Sequence, residues 1–157
     1  MDAIKFILNS EETEYTGSAG DRLLDVLRDT YSLKSVKCGC KEGECGACAV
    51  LIDNTLINSC CVAMGAIDKK SVITMEGFKE TPQFKVLSDA MADFSAVQCG
   101  FCIPGMILAS HATLLLNPHP SEDEIREGLS GNICRCTGYN AIIKAIKKAS
   151  EEGDGLW

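Results

Sequence analysis

Lys37-Cys38-Gly39-Cys40-Lys41-Glu42-Gly43-Glu44-Cys45-Gly46-Ala47-Cys48, then Ala49 to Ser59, then Cys60-Cys61, is the stretch whose reading decides the fold. Within it, Cys40, Cys45, Cys48 and Cys60 have the spacing C-x4-C-x2-C-x11-C. Three thiols on one short loop can face a common centre, and a short hairpin can return a fourth to it. Gly39, Gly43 and Gly46 alternate with the cysteines. A residue without Cβ accepts positive φ and lets its N–H come close to a ligand.

Four thiolates opening with C-x4-C-x2-C have the plant-type ferredoxin spacing for a 2Fe-2S cluster. Thiolates and bridging sulfides make such a site negative, so it needs several N–H donors, and those hydrogen bonds also tune its potential. The other reading is a structural zinc ion, which four cysteines would also satisfy. Zinc sites usually pair their cysteines in two separate knuckles, whereas here three crowd one loop. The spacing therefore favours the cluster, with Cys40, Cys45, Cys48 and Cys60 as its ligands.

The 157 residues allow one ordinary domain or two small ones. Hydrophobic residues at 46% and charged residues at 24% are typical of globular chains. A net charge of −7 argues against nucleic acid, whose phosphates call for a basic surface, and fits a protein that docks to other proteins. Met1-Asp2-Ala3-Ile4-Lys5 lacks the basic and apolar regions of a signal peptide. The longest mostly apolar stretch, Ile103 to Leu116, is too short to span a bilayer. A cytoplasmic location without membrane contact is expected. There, ten cysteines point to metal or redox chemistry rather than to disulfides.

Around the cysteine loop the pattern is that of an α+β chain in two parts. Residues 1–76 read as a small sheet on one helix, a β-grasp ferredoxin-like domain. Ile4 to Leu8 and Glu12 to Thr16 form a hairpin, Asp21 caps a helix carrying Leu23, Leu24, Leu27 and Tyr31, and Ala49 to Ile52 and Thr55 to Ile57 flank a turn at Asp53-Asn54. Ser71 to Thr74 adds a strand. Residues 77–157 read as helices: one opened by Thr81-Pro82 with Phe84, Leu87, Met91 and Phe94 inward, one from Pro104 to Leu116, one capped by Ser121 and Glu124, and one over Asn140 to Ser150. Four helices on short connections predict a four-helix bundle. Only the tail, Glu151 to Trp157, reads as mobile.

A second cysteine group sits in the helical part. Cys99-Gly100-Phe101-Cys102 falls between the first two helices, and Cys134-Arg135-Cys136 between the last two. Antiparallel helices bring both connections to one end. The residues alone leave a redox dithiol, half a zinc site and a second cluster open. Of 14 glycines, Gly39, Gly43, Gly46, Gly100, Gly105, Gly131 and Gly138 lie in or beside the cysteine stretches, as close backbone approach to a bulky inorganic group demands.

Taken together, Gly39 to Cys48, Ser59-Cys60, Cys99-Gly100-Phe101-Cys102-Ile103-Pro104-Gly105 and Gly131-Asn132-Ile133-Cys134-Arg135-Cys136-Thr137-Gly138-Tyr139 resemble the iron-sulfur subunit of the molybdenum hydroxylases, the xanthine dehydrogenase and aldehyde oxidoreductase family. The resemblance covers nearly the whole chain. It implies a second 2Fe-2S cluster on Cys99, Cys102, Cys134 and Cys136, with Gln98 and Cys136 approaching the pterin of a partner. It also implies a large molybdopterin-binding subunit and an FAD-binding subunit in a hetero-oligomer such as a dimer of heterotrimers. Electrons would run from molybdenum through the helical-domain cluster, then the ferredoxin-like one, to FAD during hydroxylation of a purine, a nicotinate-like N-heterocycle or an aldehyde, or oxidation of carbon monoxide.

Cys38 and Cys61 depart from the pattern, as extra thiols beside ligand positions; they read as small buried residues, with ligand exchange or redox sensing as the sharper alternatives. Ile103 and Asn54 stand where relatives often carry threonine and glycine. His111 and His119 lack a paired Asp or Cys and read as structural. Arg135 either places positive charge by a cluster or contacts a partner. No dinucleotide fingerprint, P-loop or Ser/His/Asp set occurs, and no catalytic residue is assigned. A free-standing two-cluster ferredoxin and a zinc-stabilised interaction module are the competing functions.

Overall fold

The structure is a computed structural model that describes residues 3–157. Met1 and Asp2, two of the five residues weighed above against a signal peptide, lie outside the described residues.

Strand β1 (Ile4–Leu8) buries Ile4, Phe6 and Leu8 and turns Lys5 and Ile7 outward. It pairs antiparallel with β2 (Glu11–Tyr15), in register Ile4 with Tyr15 and Leu8 with Glu11. Asn9 and Ser10 both have positive φ, 51° and 73°, the two-residue turn whose twist matches a hairpin. That compact turn is why β2 begins at Glu11, one residue before the expected start.

Helix α1 (Leu23–Asp25) runs directly into a π-helical stretch, Val26–Thr30, and buries Leu23, Leu24, Val26 and Leu27. Asp21 does not cap it. The N-cap is Arg22, the Leu23 N–H donates to the Val62 carbonyl (2.8 Å), and the Asp21 carboxylate accepts instead from Tyr15 Oη and the Ser18 N–H. Tyr31 ends the wide turn and lies edge-on to Phe6, with ring centroids 6.1 Å apart.

Strands β3 (Ala49–Ile52) and β4 (Thr55–Asn58) form the second hairpin through Asp53 and Asn54, at φ 49° and 64°. With β5 (Ser71–Ile73) they complete a mixed sheet of order β2-β1-β5-β3-β4, in which only β1 and β5 run parallel. Every residue of β3 is buried, because this sheet is covered on both faces there. Val50 and Ile52 pack on the helix α1 side, and Leu51 packs against the helices that follow.

Those helices are α2 (Met75–Phe78), α3 (Pro82–Asp93), α4 (Ile103–Leu116), α5 (Glu122–Gly128) and α6 (Asn140–Glu152). The boundary expected after residue 76 falls inside α2, and Thr74, at the end of β5, is held by the Asn9 side chain (N–H to Oδ1, 2.9 Å). Thr81 Oγ1 accepts from the Phe84 N–H to open α3, and Ser121 and Glu124 form the expected capping box on α5. Leu87 and Met91 are buried, but Phe94 lies past the end of α3 and is 38% exposed, so the apolar stripe ends a turn early. Helix α4 is central: it packs on α3, α5 and β3, which explains why it is buried nearly all round and shows no apolar stripe of its own. Helix α6 packs on α3 and α5. None of the described helices is long and apolar enough to cross a membrane.

The tail is fixed rather than mobile. Glu151 and Glu152 continue α6, Gln83 Nε2 donates to the Leu156 carbonyl (3.0 Å), and Trp157 Nε1 donates to His111 Nδ1 (3.0 Å). His111 is 8% exposed, its ring 4.6 Å from that of Phe78, and burial pushes its pKa down to about 4. It is therefore neutral, as an acceptor for the indole must be. Unfolded, it would take up a proton near pH 6.5, so its contribution is complete above that pH and is lost as pH falls toward 4. From pH 6.5 to 5 the loss is about 2 kcal/mol. Chemical denaturation should therefore show wild-type stability falling more steeply between pH 7 and 5 than that of His111→Gln; parallel declines would refute this account.

Candidate metal centres

The first cysteine loop is held open by its own backbone. Lys41, Gly43 and Gly46 all have left-handed φ, 66°, 86° and 68°, and this turns successive N–H groups inward, the concave arrangement that favours anions. The Glu42 N–H lies 3.5 Å from Cys40 Sγ. That N–H, followed by those of Cys45 and Glu44 and the Cys45 thiol, draws the Cys40 pKa down to about 7, toward the thiolate that binds metal. Asn58 Nδ2 donates to the Gly43 carbonyl (2.7 Å), tying the loop to β4.

Cys60 stands on a 3-10 turn, Ser59–Cys61, directly after β4. Ser59 is fully buried, and both its N–H and its Oγ donate to the Cys48 carbonyl (3.2 and 2.7 Å), which sets Cys60 opposite Cys48. Burial raises the Cys60 pKa, and the Cys48 thiol raises it further. The four thiols thus meet as two pairs, Cys40 with Cys45 and Cys48 with Cys60. In a 2Fe-2S cluster each iron takes two protein ligands, so this pairing fits the group, and the N–H donors fit its charge. Among the described residues no three His, Cys, Asp or Glu side chains are arranged to hold one metal ion.

The second group repeats the pattern. Cys99 Sγ and Cys136 Sγ are 3.7 Å apart, and Cys102 lies beside Cys134. Burial pushes the Cys102 thiol up to about 12, with the Cys134 thiol adding to it. Burial also opposes ionisation of Cys134, yet the Thr137 hydroxyl, 3.1 Å from its Sγ, and the N–H groups of Cys136 and Thr137 outweigh it, and its pKa is lowered. Cys102 and Cys134 are buried, whereas Cys99, Cys136, Gln98 and Arg135 are exposed. Gln98 directly precedes Cys99, whose Sγ lies against that of Cys136.

Sequence reasoning missed the joint between the two groups. The Ile133 N–H donates to the Cys45 carbonyl (2.9 Å), and Asn132 Nδ2 donates to the Gly46 carbonyl (3.1 Å), with Asn132 only 4% exposed. One cysteine of each loop is therefore a single residue or less from a hydrogen bond to the other loop. Tyr139 Oη accepts from the Cys134 N–H (2.7 Å) and donates to the Asn132 carbonyl (3.1 Å), fixing the same turn. The signal was present in the motif Gly131-Asn132-Ile133-Cys134, where a buried polar residue stands among glycine and cysteine.

The two extra thiols differ from expectation and from each other. Cys38 is half-buried against the N-terminal core, but Cys61 is exposed, at the free end of its turn. His119 is exposed, 3.6 Å from Asp154.

Residues 6–70 match the family described as the 2Fe-2S iron-sulfur cluster binding domain, and residues 74–147 match the 2Fe-2S binding domain. The chain is 44% identical to the nicotinate dehydrogenase small FeS subunit of Eubacterium barkeri, over 94% of each chain. It is 40% identical to the xanthine dehydrogenase iron-sulfur-binding subunit of Escherichia coli O157:H7, over 91% of each. Among solved structures, quinoline 2-oxidoreductase from Pseudomonas putida 86 superposes with a TM-score of 0.89 at 37% identity, over 96% of this chain and 94% of that one. The aldehyde oxidoreductase from Desulfovibrio desulfuricans gives 0.92 at 36% identity, over 99% of this chain but only 17% of that one, so here the match is to one part of a longer protein.

Proposed function

The chain belongs to the small iron-sulfur subunits of the molybdenum hydroxylases, and from that premise we propose that it carries single electrons from a large molybdopterin-binding subunit to an FAD-binding subunit, each held on a separate chain. A 2Fe-2S cluster, when bound, accepts one electron at a time. What this polypeptide does is hold two such groups at a set separation, in a dry setting and with chosen hydrogen bonds.

The ligands in this reading are Cys40, Cys45, Cys48 and Cys60 in a β-grasp domain spanning about residues 1–76, and Cys99, Cys102, Cys134 and Cys136 in a four-helix domain over 77–157. The observation that carries it is the pairing of eight thiols two by two in loops joined by the Ile133–Cys45 hydrogen bond. Buried Cys48, Cys60, Cys102 and Cys134 exclude water on the inner side of each site. The open side of the second site, where Gln98 and Cys136 are exposed and where Val97, Phe101 and Ile133 leave apolar surface 46, 47 and 54% accessible, fits a face covered by the pterin-bearing partner. The same reading places the complex in the cytoplasm as a hetero-oligomer, with an electron-poor N-heterocycle of the nicotinate or purine kind, or an aldehyde, oxidised on the large chain.

Native mass determination together with metal content tests this. The chain should co-elute with larger chains containing molybdenum and flavin, at about four irons per copy of this subunit. A lone monomer carrying four irons would make it a free ferredoxin, and zinc without acid-labile sulfide would make it an interaction module.

A further inference from the structure

We propose that Cys61 is a reserve ligand of the first centre, a fifth thiol able to replace Cys60 at the cluster. The inference rests on the ligand set given above but assigns a residue outside it.

Cys61 is not simply an exposed cysteine near a site. Its Sγ is 3.7 Å from Cys60 Sγ. It also rests against the cysteine loop itself: a Cβ placed on Gly43 would come within 2.8 Å of Cys61 Sγ. Gly43 lies on the loop between Cys40 and Cys45, which form one thiol pair, and Cys60 belongs to the other, so Cys61 touches the surroundings of both pairs. Because it is the last residue of the same 3-10 turn, a side-chain rotation with little backbone movement covers the distance.

The exchange involves no oxidation. The Cys61 thiol gives up its proton and forms a bond to iron, while the bond from Cys60 sulfur breaks and that thiolate takes up a proton. Charge and electron count at the cluster are unchanged. The two positions differ in surroundings: Cys60 is 5% exposed and receives the Gly43 N–H, whereas Cys61 is open to solvent and has no such donor in view. A cluster held by Cys61 should therefore have a different spectrum and lose iron faster to a chelator.

The test uses the purified subunit in its complex, read by iron and sulfide content and by EPR. Wild type should carry about four irons and two ferredoxin-type signals. Cys60→Ala should keep about four irons, with the first signal shifted and the second unchanged. Cys61→Ala should match wild type, and Cys60→Ala/Cys61→Ala should fall to about two irons with the first signal gone. The unchanged second signal reports that each variant is folded. If Cys60→Ala already has two irons and matches the double variant, the proposal is wrong. If Cys60→Ala loses the second signal as well, Cys60→Ser and its double with Cys61→Ala are read in the same way, and loss of the first signal from Cys60→Ser then overturns it. A wild type lacking four irons would instead overturn the function proposed above.

Discussion

Gly46→Ala is expected to remove the first cluster and to loosen the joint between the two halves of the chain, at a cost of several kcal/mol. Gly46 is buried and has φ +68°, a conformation that costs a residue with Cβ about 1–2 kcal/mol. A Cβ there would also stand 2.6 Å from Asn132 Nδ2 and press on the Gly131 carbonyl. Backbone cannot move aside cheaply, so the buried Asn132–Gly46 hydrogen bond is lost, which adds about 1–3 kcal/mol. Iron content should fall to about two per chain, and the melting temperature by roughly 10 °C. Gly155→Ala is the control: its φ is +81°, yet nothing lies within 4 Å of a Cβ there, so backbone strain alone is left. If the two variants behave alike, the packing of Gly46 on Asn132 is not what holds the joint.

The contrast marks where sequence stopped informing the fold. Both hairpins, the capping box at Ser121 and the buried faces of β1 and α6 were legible, because each depends on side chains a few residues apart. The two cysteine quartets were legible as spacing, since a loop that must aim three thiols at one place has little freedom. Three features were not. Asp21 was read as a cap, but its carboxylate found Tyr15 and Ser18, while the Val62 carbonyl took the N–H that a cap would have served. The tail was read as mobile, although Trp157 bonds to His111, 46 residues earlier in the chain. Cys61 was read as buried, and only the end of the 3-10 turn reveals its exposure. The Val62 carbonyl and the Trp157–His111 bond are partners distant in sequence, and the 3-10 turn at Cys61 is irregular backbone; periodicity and propensity reveal neither kind of feature.

That same separation of local from distant governs the second large effect, removal of one thiol from each quartet. Cys45→Ala should abolish the ferredoxin-type EPR signal of the first site and leave the second intact, while Cys136→Ala should do the reverse, each halving iron from about four to about two. The reason is that no thiol is shared. Cys45 acts on Cys40 within its loop, Cys136 lies against Cys99 in its own, and among the described residues the bonds between the loops run through main chain and through Asn132. Cys45→Ala leaves its carbonyl in place to accept from Ile133, so the joint survives the loss of the side chain. Electron flow should nevertheless stop in both variants, since two carriers in series fail when either is missing. On the function proposed above, the large chain would still oxidise substrate in both variants, but this subunit would no longer pass electrons toward the flavin chain. If either variant lost both signals while remaining folded, the division into independent sites would be wrong, and the eight cysteines would have to be read as one coupled centre.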